Sequence, residues 1–303
     1  MATMKRLLLL YNPNSGDGRI RAHLAEIVEI ISLEGFEVTV YPTKSAGDGQ
    51  RYISEHGQEF NQIVSAGGDG MLHETVNGLG AIGFSRRLGN IPAGTVNDFA
   101  NTHEIPLKME KAAKSAVSSN IRQIDLGVFN GRYFAYVAAC GIMTHASYDT
   151  SQIDKKRFGS MAYVVNGLVS VDYTHWENNS CNMHVRWESG SVRGSFVFCS
   201  ISNSEYIGGF RQFADDNFSW NDGVLEGFFI RTPRSIPDLN TILGGILLKD
   251  YSSDCFLKIQ SPWFEIESDP VNWTLDGEYG GEHSHVYIRA AEEALMLSSE
   301  IEE

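Results

Sequence analysis

Cysteine is scarce in this chain: Cys140, Cys181, Cys199 and Cys255 are the only four in 303 residues, and they are scattered without metal-ligand spacing. They do not read as metal ligands, and thiols in such apolar, strand-like surroundings read as reduced core residues suited to a cytosolic compartment. Long apolar runs are missing too. No stretch approaches the ~20 residues needed to span a bilayer, and near Met1 no basic region is followed by a long apolar stretch, so neither an integral nor a secreted protein is expected. Basic residues are outnumbered, 24 Lys and Arg against 38 Asp and Glu, for a formal net charge of −14. Nucleic acid is excluded as a partner, because phosphate backbones are bound by clustered Lys and Arg. An anionic membrane surface would need a local basic patch. The only compact one is Lys155-Lys156-Arg157, which also reads as an exposed helix end. Repeats and low-complexity tracts are absent.

What remains is the length and composition of a two-domain globular protein, 42% hydrophobic and 20% charged. Residues 1–125 alternate strand and helix. Strands are predicted over Arg6 to Tyr11, Phe36 to Tyr41, Gln62 to Ala66 and Gly89 to Pro92, and helices over Ile20 to Glu34, Gln50 to Glu59, Met71 to Leu79 and Leu107 to Ser118. That alternation implies an α/β domain with a parallel, doubly wound sheet covered on both faces. Over residues 126–284 the runs are aromatic or β-branched, often alternating, and punctuated by glycine. They are Arg132 to Ala139, Cys181 to Trp187, Ser195 to Ile201, Val224 to Arg231, Cys255 to Ile259 and Trp263 to Glu267. These predict a second domain built as a mainly antiparallel β-sandwich, with helical insertions over Phe158 to Val171 and Ile236 to Leu248. The second helix carries Ile236, Leu239, Ile242, Leu243, Ile246 and Leu247 at helical spacing; a core stripe and an apolar groove for an acyl chain need the same residues.

The chemistry centres on Gly67-Gly68-Asp69-Gly70, where a strand containing Ile63 and Val64 runs into a helix start. Glycines let the backbone approach a ligand closely, and unpaired N–H groups at a helix N-terminus attract an anion. An aspartate among them would repel a phosphate unless a magnesium ion lay between the two, or unless it oriented a nucleophile. A tight structural turn is the other reading of any single Gly-Gly. Two more turns share the layout: Leu7 to Leu10 runs into Tyr11-Asn12-Pro13-Asn14-Ser15-Gly16, and Gly89 to Pro92 into Ala93-Gly94-Thr95-Val96-Asn97-Asp98. Three such turns at successive strand ends would converge on one crevice, as ligand sites do in open α/β sheets.

The turn Asn12-Pro13-x-Ser15-Gly16, the loop Gly67-Gly68-Asp69-Gly70 with Glu74 and Asn77-Gly78-Leu79, and the block Gly94-Thr95-x-Asn97-Asp98-Phe99-Ala100 together resemble the soluble bacterial diacylglycerol kinases. These belong to a lipid-kinase superfamily that includes sphingosine and ceramide kinases. The match around Tyr148-Asp149 and Phe158-Gly159-Ser160-Met161-Ala162-Tyr163 is to the Gram-positive type, and the resemblance spans almost the whole chain. It implies ATP and Mg2+ as cofactors, a nucleotide-binding first domain completed by residues from about 285 to 303, and a second domain that takes the lipid substrate. It further implies a cytoplasmic enzyme, peripheral to the inner face of the membrane and meeting its lipid transiently at that surface. A homodimer is the assembly it suggests.

Carried over position by position, the resemblance implies a nucleotide cradle of Asn12, Pro13, Asn14, Ser15, Gly16, Gly67, Gly68, Asp69, Gly70, Met71, Glu74, Gly94, Thr95 and Asn97, with Thr43 as a further hydroxyl donor. Asp69 and Asp98 would orient or bind the catalytic magnesium, and Glu278, in Thr274-Leu275-Asp276-Gly277-Glu278, would accept the proton of the attacking hydroxyl. A carboxylate beside polyphosphate has its pKa raised by like charge, which favours proton acceptance near neutrality. A type I turn before a strand explains the Asp-Gly pair equally well. A second, structural magnesium is implied at Ser219-Trp220-Asn221-Asp222-Gly223-Val224. There the Asp222 carboxylate and the Ser219 and Val224 carbonyls would be oxygen ligands suited to a hard cation. Asp125 would link that ion to the active site through water, though alone it also fits a domain-junction turn. Two positions depart from the pattern: Met71 stands where many relatives carry threonine, and His145 where many lipid kinases carry an acid.

The activity expected is transfer of the γ-phosphoryl group of ATP to the hydroxyl of diacylglycerol, giving phosphatidic acid. A long-chain base, a ceramide or another lipid alcohol satisfies the same residues, and a non-catalytic lipid- or nucleotide-binding relative stays open. NAD kinases share the Gly-Gly-Asp-Gly loop and a sandwich domain, but the block from Gly94 to Ala100 points away from them.

Overall fold

Leu7, Leu8, Leu9 and Leu10 are all completely buried, which requires a strand covered on both faces. In the computed structural model, which describes residues 4–141, 180–207, 210–211 and 218–300, that strand is β1 (Lys5–Tyr11). It is followed by α1 (Arg19–Leu33), β2 (Phe36–Pro42), α2 (Asp48–His56), β3 (Gln62–Gly67), α3 (Asp69–Ala81), β4 (Arg87–Pro92), α4 (Asp98–Thr102) and α5 (Met109–Ala116). The strands pair in parallel in the order β4-β3-β1-β2, and the end of the chain's last strand adds beside β4 through Leu297 opposite Leu88. These elements belong to one unit made of Met1–Leu126, Tyr133–Ala135 and Glu292–Glu303.

Side chains alternate across a strand, so β1 and β3 feed two helical layers. Leu7, Leu9, Val64 and Ala66 pack with Ile20, Ile27 and Ile31 of α1 and with Met109, Ala112, Ala113 and Ala116 of α5. Each fully buried aliphatic side chain of this size stabilises by roughly 1.5–3 kcal/mol. On α3, Gly78 is pressed against α2: a Cβ there would stand 2.7 Å from Ile53 Cβ and 3.1 Å from the Gln50 carbonyl oxygen. Neighbouring Asn77 donates from Nδ2 to the Tyr133 carbonyl (2.9 Å), and its Oδ1 accepts the Tyr133 N–H (3.1 Å). The motif residues Asn77 and Gly78 therefore hold α3 in place. α2 and α3 begin two residues before their apolar spacing does, because Asp48, Gly49, Asp69 and Gly70 supply the first turns.

β5 (Ile121–Phe129) starts in this unit and ends in the other, which comprises Gly127–Arg132 and Tyr136–Ala291. Then come β6 (Arg132–Phe134), β7 (Val137–Gly141), β8 (Cys181–Trp187), β9 (Gly190–Ser202), the short pair β10 (Tyr206–Ile207) and β11 (Phe210–Arg211), and β12 (Leu225–Arg231). α6 (Ile236–Leu248), β13 (Phe256–Ser261), β14 (Trp263–Leu275) and β15 (Glu278–Ser298) complete the chain. The antiparallel strands expected here are present, hydrogen-bonded as one row, β13-β12-β9-β7-β14-β15, rather than as two separate sheets. β7 and β8 share one slot in that row. On β9, Gly141 of β7 pairs with Phe198 and Cys181 of β8 pairs with Phe196. β14 pairs with β8 from Phe264 to Ser268 and with β7 from Trp273 to Leu275, after a register shift between Glu267 and Val271.

The single strand expected over Arg132 to Ala139 is not formed. The N–H groups of Tyr136 and Val137 both donate to Asp276 Oδ1, at 2.9 and 3.2 Å, and the ladder is broken between β6 and β7. α6 is capped by Ser235, whose Oγ accepts the Asp238 N–H (3.3 Å), and has proline in its first turn. Of the expected stripe it buries Leu239, Ile242 and Ile246 and half-buries Leu243, but Ile236 and Leu247, at the two ends of the helix, are exposed together with Leu248. The four cysteines are free. Among the described residues no helix is long and apolar enough to cross a membrane. The helix expected over Phe158 to Val171, the basic run Lys155-Lys156-Arg157, His145 and the Tyr148-Asp149 match lie outside the described residues.

Candidate functional site

In the first unit the strand order places the ends of β2, β1, β3 and β4 side by side, and backbone bonds stitch the loops that leave them. Thr43 donates its N–H to the Tyr11 carbonyl (2.9 Å), Asn12 to that of Ala66 (3.3 Å), and Ala93 to that of Gly67 (2.7 Å). After β1, Asn12 Oδ1 accepts the Asn14 N–H (2.9 Å) across Pro13, and the Asn12 carbonyl accepts the Ser15 N–H (3.1 Å). That turn leads into a 3-10 segment, Ser15–Gly18, which contains Gly16.

The loops after β3 and β4 touch backbone to backbone. A Cβ on Gly68 would lie 3.2 Å from Gly94 Cα, and one on Gly94 would lie 2.8 Å from Gly68 Cα. A Cβ on Gly67 would stand 2.7 Å from Met71 Cβ and 3.4 Å from Ser15 Oγ, so the β1 turn borders the same ground. Asp69 Oδ2 accepts the N–H of Asn97 (3.1 Å). Asn97 sits at φ 57°, in the left-handed region that asparagine tolerates, and its amide clasps Gly94 through N–H to Oδ1 (2.8 Å) and Nδ2 to carbonyl (3.0 Å). Asp98 follows as the buried first residue of α4, while Thr95 is exposed on the turn.

At the start of α3 the amides of Met71 and Leu72 both donate to the Gly68 carbonyl (3.0 and 3.2 Å). The amide of Gly70 has no such partner among the described residues, and with the helix dipole behind it this end favours an anion. The Met71 side chain is buried and does not carry the hydroxyl that threonine would offer. Glu74, one turn on, accepts the N–H groups of Gly47 (2.8 Å) and Gly49 (2.9 Å) and so pins the start of α2. Beside it burial works to raise the Asp48 carboxyl, but the Lys44 amide, Arg51 and Tyr41 outweigh it and hold the group below its usual range. Asp125, fully buried on β5, accepts the Glu293 N–H through Oδ1.

In the second unit Leu275 and Glu278 pair across a two-residue turn whose central residues, Asp276 and Gly277, have φ of 51° and 83°. Two positive φ values in a hairpin mark a type I′ turn, not the type I turn considered from the sequence. Asp276 is buried and fixed by the two amides at Tyr136 and Val137, which leaves Glu278 exposed at the head of β15.

The turn from Ser219 to Val224 has Gly223 at φ 75°, Asp222 Oδ1 accepting the Val224 N–H (3.1 Å), and Ser219 Oγ donating to Asn221 Oδ1 (2.9 Å). It leads into β12, where Glu226 is buried with neither oxygen hydrogen-bonded among the described residues. Burial, reinforced by the charge of Asp222, pushes the Glu226 carboxyl up to about 8. A carboxylate, two carbonyls and an orphaned buried acid form an all-oxygen donor set that fits a hard divalent cation. The sequence reading did not single out Glu226; its signal was one acid among the apolar residues Leu225, Phe228, Phe229 and Ile230.

The chain matches the diacylglycerol kinase catalytic domain over residues 6–129. It is 29% identical over 281 residues to a diacylglycerol kinase of Bacillus subtilis (strain 168), covering 92% of this chain and 91% of the relative. It is 30% identical over 292 residues to a probable lipid kinase, YegS-like, of Yersinia pestis (strain Pestoides F), covering 93% of each. The crystal structure of a diacylglycerol kinase from Bacillus anthracis str. Sterne superposes with a TM-score of 0.80 over 99% of both chains at 22% identity, a likeness of fold. With its glycine turns joined at the strand ends and relatives that align over nearly its full length, the chain belongs to the bacterial diacylglycerol kinase family of lipid kinases.

Proposed function

We propose that this chain is an ATP-dependent diacylglycerol kinase, cytoplasmic and reversibly bound at the membrane surface, that forms phosphatidic acid and ADP. The observation that best supports the reading is the backbone contact of Gly68 with Gly94, tied by Asp69 to Asn97, beside the turn of Asn12 and Ser15. Glycine backbone at such a contact lets a polyphosphate approach closely where a side chain would block it. Asn12, Ser15, Gly16, Thr43, the amides from Gly68 to Gly70, and Thr95 bind the nucleotide phosphates. Asp69 and Asp98 hold the catalytic magnesium, which when bound offsets the charge that develops on the transferred group. The lipid hydroxyl oxygen forms a bond to the γ-phosphorus, the bond from that phosphorus to the β–γ bridging oxygen breaks, and ADP leaves. Glu278 takes the hydroxyl proton. Its exposure and its fixed turn suit that task. Asp222, with the Ser219 and Val224 carbonyls, would hold a structural magnesium.

The test is transfer of labelled γ-phosphate from ATP with magnesium to diacylglycerol in anionic mixed micelles, with Glu278→Ala and Asp69→Ala as comparisons. Phosphatidic acid from the wild type alone is the expected result. Product only with sphingosine or with a lipid extract would keep the chemistry and change the acceptor, and nucleotide binding without turnover on any acceptor would overturn the kinase reading.

A further inference from the structure

Glu226 is 6% exposed, and among the described residues neither of its oxygens finds a hydrogen bond. Gln260, opposite it on β13, lies near enough to offset part of that burial but makes no bond of normal geometry. Among the described residues the charged group beside Glu226 is another carboxylate, Asp222. A buried acid left in this state is expensive unless a positive charge completes it. The surroundings are built rather than loose. Glu226 pairs with Ser202 on β9, and the next residue, buried Asn203, donates from Nδ2 to the Trp220 carbonyl (3.2 Å). The Asp222 turn is thereby tethered over the strand that carries Glu226.

We infer that Glu226 is a second carboxylate ligand, beside Asp222, for a divalent cation held where the Ser219 to Val224 turn enters β12. The inference rests on the proposal that this turn holds a cation, and adds a residue to it. Two carboxylates would neutralise a divalent ion completely, and they would give a monovalent ion no comparable match. The site would join the turn to β12 and stabilise the second unit whether or not nucleotide or lipid is bound.

The test uses the full chain without nucleotide or lipid, titrated with Mg2+ or Mn2+ alone by calorimetry, with melting curves in parallel. The wild type is expected to bind one equivalent and to gain Tm as the cation is added. Glu226→Gln and Asp222→Asn should each weaken that binding by about tenfold or more. Glu226→Asp keeps the charge and should bind more tightly than Glu226→Gln. If Glu226→Gln does not fold, an aspartate variant weaker than wild type by about threefold, with unchanged metal-free melting, supports the inference, and one that equals wild type overturns it. Glu226→Gln binding within about twofold of wild type while Asp222→Asn fails would overturn the role of Glu226 and leave the Asp222 site standing. No binding by the wild type would remove both. Neither result depends on phosphoryl transfer, so a failure of the kinase reading shows up separately.

Discussion

The carboxylate of Asp69 accepts the backbone N–H of Asn97 at 3.1 Å, joining the loop after β3 to the loop after β4. One side chain thus carries a structural duty and, in the proposed reaction, a charge. Asp69→Asn separates the two, since Oδ1 of an asparagine can still accept the Asn97 amide. Its Tm is expected to stay near wild type while phosphoryl transfer falls by about 100-fold or more. Near-normal transfer in that variant would show that the group works by holding Asn97 alone.

Backbone contact between Gly68 and Gly94 leaves no room for a methyl group. Gly94→Ala places Cβ 2.8 Å from Gly68 Cα, which cannot swing aside, whereas Gly68→Ala meets Gly94 Cα at 3.2 Å. Gly94→Ala should destabilise the fold by about 1–3 kcal/mol and the Gly68 variant by less. Gly244, inside α6 with nothing within 4 Å of a built Cβ, is the control. There alanine should stabilise by about 0.5–1 kcal/mol. Urea unfolding of the three variants checks the order.

Asp276 carries the break between β6 and β7 and the turn before Glu278 at once. Asp276→Ala leaves the amides of Tyr136 and Val137 without their acceptor and puts alanine at φ 51°, so a loss of about 2–4 kcal/mol is expected. Asp276→Asn retains an acceptor and tolerates that φ, and should lose less than half as much. Denaturant midpoints distinguish them, and equal losses would show that the charge rather than the acceptor matters.

His103 is buried against Phe99, with ring centroids 4.4 Å apart, and its carbonyl accepts from Arg122 Nη2. Burial, helped by the Arg122 charge, pushes the imidazole down to about 3 from an ordinary 6.5. Between those values the unfolded chain holds a proton that the folded chain refuses. Stability is therefore fully present above pH 6.5 and drains as pH falls toward about 3, with a limiting slope of about 1.4 kcal/mol per pH unit from this group. Tm measured against pH for the wild type and His103→Gln should show the variant flatter across that window.

The first unit was legible because its signals are local. Ile20, Ile27 and Ile31 recur at helical spacing, Leu7 to Leu10 form an unbroken apolar run, and each glycine turn directly follows its strand. What escaped is set by partners distant in the chain. The Asp276 carboxylate that interrupts the strand expected over Arg132 to Ala139 stands 140 positions from Tyr136. An Asp-Gly pair fits type I and type I′ turns alike until Leu275 is seen opposite Glu278. Glu226 looked like an ordinary acid in a strand, and only the side-chain environment shows that no described residue hydrogen-bonds it. Glu74 reads as part of a nucleotide motif, while its two oxygens are engaged by Gly47 and Gly49.

The shared slot of β7 and β8 has a consequence for how this chain can change over evolution. Gly141 and Cys181 face positions 198 and 196 of the same neighbour, so the chain departs from the row and rejoins it only about 7 Å apart. The registers on either side of that point are set by the ladders of β9 and β14. Drift in β7 or β8 is therefore limited to changes that keep both ladders, because a slip of one residue would turn every side chain of that strand to the other face.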